Sequence, residues 1–331
     1  MTAAAAPTLP SPAGTEAVGV DTDVGPDGFD AVRLHSRDAL EASFAPQVGW
    51  TCRSLRHRGD ELLGERFGLA AFAGCGITMG MSLMHPWAGR LSSWSYSACG
   101  TGVRLPISPL LHTDGSGLPV NGVQSPADAW VLQDCRAADR SAWFDATLPF
   151  DANARGFELF PFPHRLRLHV ELAGRSLSIR VELEATGAIP VPVCFGYRLF
   201  LRRGDGSLVL PARRRLITDE RLFPTGGTEP LGLSAHPPGA DELDEVALLG
   251  TDRRLALASH RRRVALESTA GFPFAHVRSV AREPHVMLEA LTAAPDALSR
   301  NAFPLAIPGV PYRAALRLSV DDRFGGRRDP A

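Results

Sequence analysis

Residues 165–184 constrain the fold more than any other stretch. Leu166, Leu168, Val170 and Leu172 alternate with Arg167, His169 and Glu171. Beyond Ala173-Gly174-Arg175, the apolar positions Leu177, Ile179, Val181 and Leu183 resume the same period. Two-residue periodicity on both sides of a glycine-bearing turn predicts an antiparallel hairpin with one buried and one wet face. Shorter runs repeat the style. Ala31–His35 and Leu40–Phe44 flank Ser36-Arg37-Asp38 as a second hairpin, Gly49–Leu55 and Asp60–Leu63 follow, and Leu255–Glu267 and Ala315–Val320 carry weaker alternation. No window sustains a helical period, although Asp241–Leu249 is compatible with a short helical turn. With 32 glycines and 27 prolines scattered between the runs, the expected fold is all-β, a large antiparallel β-sandwich and not a βαβ arrangement.

The Ala/Pro-rich stretch 1–27 has no periodicity and is expected to be a disordered tail, with a C-terminal tail over 323–331. No repeat or composition break divides 28–322, so one domain is expected there. A core of that size is affordable, because 44% of the residues are hydrophobic. The 35 basic residues are all arginine and face 36 acidic ones, for a net charge of −1. That balance argues against nucleic acid or an anionic membrane as partner, and the lack of lysine excludes Schiff-base chemistry on this chain. The triplets Arg213–Arg215 and Arg261–Arg263 read as solvated strand edges. Five widely spaced cysteines without a C-x-x-C pair suit reduced thiols, not a disulfide framework or a zinc site. The N-terminus lacks a basic, apolar leader and no run reaches the roughly 20 apolar residues of a membrane span, so a cytoplasmic protein, monomer or homodimer, is expected. No G-x-S-x-G elbow, phosphate-binding glycine loop or H-E-x-x-H occurs.

The run His285-Val286-Met287-Leu288-Glu289-Ala290-Leu291 is an apolar strand carrying one carboxylate. A buried carboxylate is costly without a partner, so Glu289 is either an acid at the sheet margin turned to water or a functional group.

Several segments, in order, resemble the aldose 1-epimerase (galactose mutarotase) family. Pro86-Trp87-Ala88-Gly89-Arg90 resembles its PWxxR segment, and Leu118-Pro119-Val120-Asn121-Gly122 its LPxHG loop, with Trp130 following. Phe160-Pro161-Phe162-Pro163-His164 introduces the long hairpin, and Phe195-Gly196-Tyr197-Arg198-Leu199 stands where the family has FGxHP. Pro224-Thr225-Gly226, Leu243-Asp244-Glu245, Glu289, Pro295-Asp296-Ala297-Leu298 and Pro308-Gly309 complete a likeness over about residues 30–320. The resemblance implies a β-supersandwich and a monosaccharide ligand whose anomers interconvert by ring opening, without metal or organic cofactor. It further implies Glu289 as the base, with Arg90 and Asp244 holding sugar hydroxyls.

Two departures stand out. Asn121 and Arg198 occupy the places of the family's two histidines, the second of which is the general acid there. Asparagine can still bind a hydroxyl. Arginine, with a pKa of about 12.5 or more, cannot release a proton near neutrality, although its fork can bind a carboxylate, a phosphate or a developing oxyanion. Loss of a general acid costs about 10²–10⁴ in rate. His85, His164 and His112 are candidate substitutes, with His276 and His285 behind them. The open alternatives are a sugar-binding protein without turnover and an enzyme that meets an anionic sugar or biosynthetic intermediate through Arg198.

Overall fold

The computed structural model describes residues 18–322, apart from 39, 124–128, 212–213, 233–234 and 239. The stretch 1–17, the tail 323–331 and Arg213 lie outside the described residues. Among those described, antiparallel pairing builds one twelve-stranded and one nine-stranded sheet, with three small two-stranded ribbons. The long hairpin forms as its alternation requires. Strands His164–Ala173 and Ser176–Ala185 pair with Leu166 opposite Leu183, Leu168 opposite Val181, and Val170 opposite Ile179. It lies in the nine-stranded sheet, where its leucines, valines and isoleucine are almost fully buried. Phe44 of the larger sheet meets Phe144 of the smaller one edge to face at 5.0 Å, and Trp50 stacks on Phe144 at 4.2 Å. Interdigitation of the two inner faces makes a large antiparallel β-sandwich. In such close packing one missing methyl is felt. Ile179→Val is expected to lower unfolding free energy in urea by about 0.5–1.5 kcal/mol.

Three local expectations need correction. Residues Gly19–Val24 form a strand paired with Asp30–His35, so order begins ahead of residue 28. Asp241–Leu249 is not a helical turn: Leu243–Leu248 is a strand in register with Phe274–Ser279. The helix Gly68–Cys75 went unannounced, because its small apolar sequence has no periodic face and buries only Leu69. From the arginine triplets, Arg215 pairs with Glu229 and Glu245, and Arg262 with Asp60. All five thiols are free, with Cys52 and Cys194 buried. Among the described residues, no helix is long and apolar enough to cross a membrane.

Candidate active site

Four neighbouring strands of the larger sheet carry the site: Gly196–Arg202, His285–Leu291, Phe274–Ser279 and Leu243–Leu248. Their alternation divides two jobs. Tyr197, Leu199, Leu288, Ala290, Ala275 and Val277 face the inter-sheet core. The intervening positions point to the other face of the sheet. Register then places Arg198 directly opposite Glu289, and Glu289 directly opposite His276, in one row across three strands. Asp244 stands on the next strand, opposite Arg278.

The row is joined by hydrogen bonds. Arg198 Nε donates to Glu289 Oε1. On the other side, His276 Nδ1 lies 3.0 Å from Glu289 Oε2, and His276 Nε2 lies 2.6 Å from Asp244 Oδ1. Glu289 is completely buried, against 36% exposure of the Asp244 side chain. Burial opposes the charge on Glu289, but the Arg198 guanidinium and then His276 outweigh it and hold the carboxyl down at about 2. For His276 burial again opposes charge, and Glu289 with Asp244 overcomes it, raising the imidazole to about 9. The site therefore holds a carboxylate against an imidazolium at neutral pH, with both imidazolium protons directed at carboxylates. Among the described residues, no group of three or more His, Cys, Asp or Glu side chains is placed to hold a metal ion.

Loops complete the walls. Arg198 also donates to Asn121 Oδ1 at 3.1 Å and to Thr78 Oγ1 at 3.2 Å. Asn121 is left-handed (φ 61°) at a register shift between Val120 and Val123, a conformation asparagine tolerates. Beside it Gly122 (φ 79°) lies so near the backbone that a Cβ would sit 2.2 Å from the His85 carbonyl, so only glycine fits. Arg90 donates to Asp114 Oδ2 at 3.3 Å and to the Arg221 carbonyl at 2.9 Å, with its guanidinium 4.8 Å from the centre of the Phe223 ring. The loop after the Glu289 strand clips this wall: the Asp296 amide donates to the Arg90 carbonyl, and Asp296 Oδ1 accepts from the Ser92 amide at 2.7 Å.

These elements enclose a cleft of about 330 Å³, near the lower end of small-molecule sites. Arg90, Asn121, Arg198, Asp244 and His276 all line it. Glu289 lies in the layer beneath, covered by its two cationic partners. Four of the five residues singled out from the sequence thus share the cleft, with the fifth under its floor. Arg198 is not a free fork, since it is engaged with Glu289, Asn121 and Thr78. Asp244 contacts His276.

The histidines are redistributed. His85 and His164 form a buried pair, Nε2 to Nε2 at 2.8 Å, with His164 Nδ1 2.6 Å from the Phe162 carbonyl. Burial pulls both below the usual imidazole range, to about 4 for His164. His112 and His85 line a separate, smaller cavity, and His285 lies 3.3 Å from Glu283. His276, ranked behind three others from sequence, is the histidine in contact with Glu289. A signal was present: counting outward from Ala281–Pro284 as a hairpin turn pairs 279 with 286 and 276 with 289, as observed.

No family model and no curated protein sequence matches the chain. Solved structures do. A galactose mutarotase-like protein from Clostridium acetobutylicum superposes with a TM-score of 0.80 at 13% identity, covering 92% of this chain and 99% of that one. Galactose 1-epimerase from Lactobacillus acidophilus gives 0.72 at 14% identity, over 93% and 100%. An aldose epimerase homologue from C. elegans gives 0.66 at 14%, over 89% and 99%. The fold is the galactose mutarotase-like β-sandwich.

Proposed function

We propose that the chain is an aldose 1-epimerase-like isomerase that binds a monosaccharide and exchanges its anomers by ring opening. Glu289 and His276 form the acid–base pair. The observation that carries this reading is their direct contact in one cross-strand row below a sugar-sized cleft. Ring opening needs a base for the anomeric hydroxyl and an acid for the ring oxygen. Glu289 takes the first proton and the His276 imidazolium gives the second; on reclosure the neutral imidazole takes the proton back from the ring hydroxyl and Glu289 returns its own to the anomeric oxygen, which restores both groups. Arg198 covers Glu289 Oε1, and Asp244 covers His276 Nε2. Both covering groups line the cleft and both bind hydroxyls, so a sugar that docks on Arg198 and Asp244 uncovers the pair beneath. Asn121 keeps Arg198 in place, and Arg90 supplies hydroxyl contacts from the opposite wall. Residues 19–322, with the first strand included, act as one unit in this reading.

Optical rotation of fresh α-D-glucose and α-D-galactose tests the reading. Acceleration over buffer at micromolar chain, lost in Glu289→Gln, is the expected result; no acceleration of any aldose would overturn it. The complete burial of Glu289 favours one second reading, a sugar-binding protein without turnover. Calorimetric binding that is indifferent to Glu289→Gln, with no rate effect, would identify it.

A further inference from the structure

The cleft holds four guanidinium groups, and three of them face a carboxylate. Arg90 lies 3.3 Å from Asp114, Arg198 is bonded to Glu289, and Arg278 is 2.9 Å from Glu283. The fourth, Arg66, has no carboxylate within salt-bridge distance among the described residues. It is nonetheless held in place. Its Nη1 donates to the Thr78 carbonyl at 2.8 Å, and its guanidinium lies 4.6 Å from the centre of the Phe200 ring. Phe200 is two residues beyond Arg198 on the same strand and on the same face. Thr78 receives both arginines, Arg66 on its carbonyl and Arg198 on its hydroxyl. Two like charges are thereby brought to one buried residue behind the cleft. Arg66 is exposed as a residue, yet partial burial first and the Arg198 charge second pull its pKa below the usual arginine value, with the more distant Glu283 opposing.

We propose that Arg66 is a specificity-determining residue that receives an anionic substituent, phosphate or carboxylate, on the sugar bound in this cleft. A planar fork fixed by a carbonyl and a ring face has its remaining N–H groups committed in direction before a ligand arrives, which suits bidentate capture of an oxyanion. The cation–π contact and the carbonyl hydrogen bond hold the group without neutralising it. An incoming anion supplies the countercharge that Asp114, Glu289 and Glu283 supply to the other three. Arg198 already has its countercharge in Glu289, so the anion-binding role falls to Arg66. The inference rests on the cleft being a sugar site, but not on turnover there.

Calorimetric titration of D-glucose, D-glucose 6-phosphate and D-glucuronate, at one ionic strength, separates the two. At least one anionic sugar is expected to bind roughly tenfold or more tightly than glucose. That preference should collapse in Arg66→Gln and return in part in Arg66→Lys, which restores charge without the fork. The phosphate and carboxylate arms show which anion is meant. Equal affinity of all three sugars for the unaltered chain, or a preference that survives Arg66→Gln, overturns the proposal. Polarimetry on the same sugars reports separately on epimerase activity, so an anion preference without turnover keeps Arg66 and removes the isomerase, and the converse removes Arg66 alone.

Discussion

Replacing His276 with glutamine is expected to slow anomer exchange by about 10²–10⁴-fold, the usual worth of a positioned acid or base. Glutamine keeps a donor near Asp244 and Glu289 but has no proton to transfer, so sugar affinity should fall far less than rate. The pH profile gives a second readout. His276 acts as an acid only while protonated, and its pKa is raised to about 9, so kcat/KM should hold through neutrality and decline as pH rises through about 9. Glu289 must be ionised and titrates at about 2, so no acidic limb is expected above pH 4. A rate that falls between pH 6 and 7, or a His276→Gln chain with normal turnover, would place the acid elsewhere.

Glu289→Ala is expected to destabilise the fold by about 3–5 kcal/mol, because it strands a mostly covered guanidinium and an imidazolium that had shared one buried carboxylate. Urea unfolding would measure it. Arg198→Leu in the same chain should return part of the loss, since two apolar groups do not leave an unmatched charge. The pH dependence of stability has a defined window. The folded pKa of Glu289, about 2, lies below the ordinary 4.5, so its contribution is complete above pH 4.5 and disappears as pH falls through 2. The folded pKa of His276, about 9, lies above the ordinary 6.5, so its contribution is complete below pH 6.5 and disappears as pH rises through 9. Together they support the fold most between pH 4.5 and 6.5, and Glu289→Ala should flatten both slopes.

The sandwich was legible where one face of a strand is wet. Leu166 to Leu183 alternate cleanly because Arg167 and its neighbours on the opposite face meet solvent. Legibility fails where both faces are covered or where the second face lines the cleft. In His285–Leu291 six consecutive residues are buried, so alternation is erased and only the lone Glu289 marks the hidden face. In Leu243–Leu248 the acids Asp244 and Glu245 fall side by side, which imitates a polar turn. Arg90, Asn121, Arg198, Asp244 and Glu289 were found through a likeness in motif order; the first four line one cleft and Glu289 lies under its floor. His276 was ranked low because nothing adjacent to it in sequence is unusual. Its place depends on strand register, a property of pairs of residues. Asp114 and Thr78 escaped for a related reason: each acts by holding an arginine contributed by a distant segment.

The row Arg198–Glu289–His276 lies on strands whose reverse side is packed into the interior by Leu199, Leu288 and Val277. Such a floor is anvil-like, since moving the backbone under any member would also shift buried leucine and valine on the underside. Adjustment to one guest or another is left to the rim: the Asn121 turn, the Arg90 segment and the stretch around Arg66. Selection can then rewrite the lip of the bowl, and with it the choice of guest, while the basin underneath stays fixed.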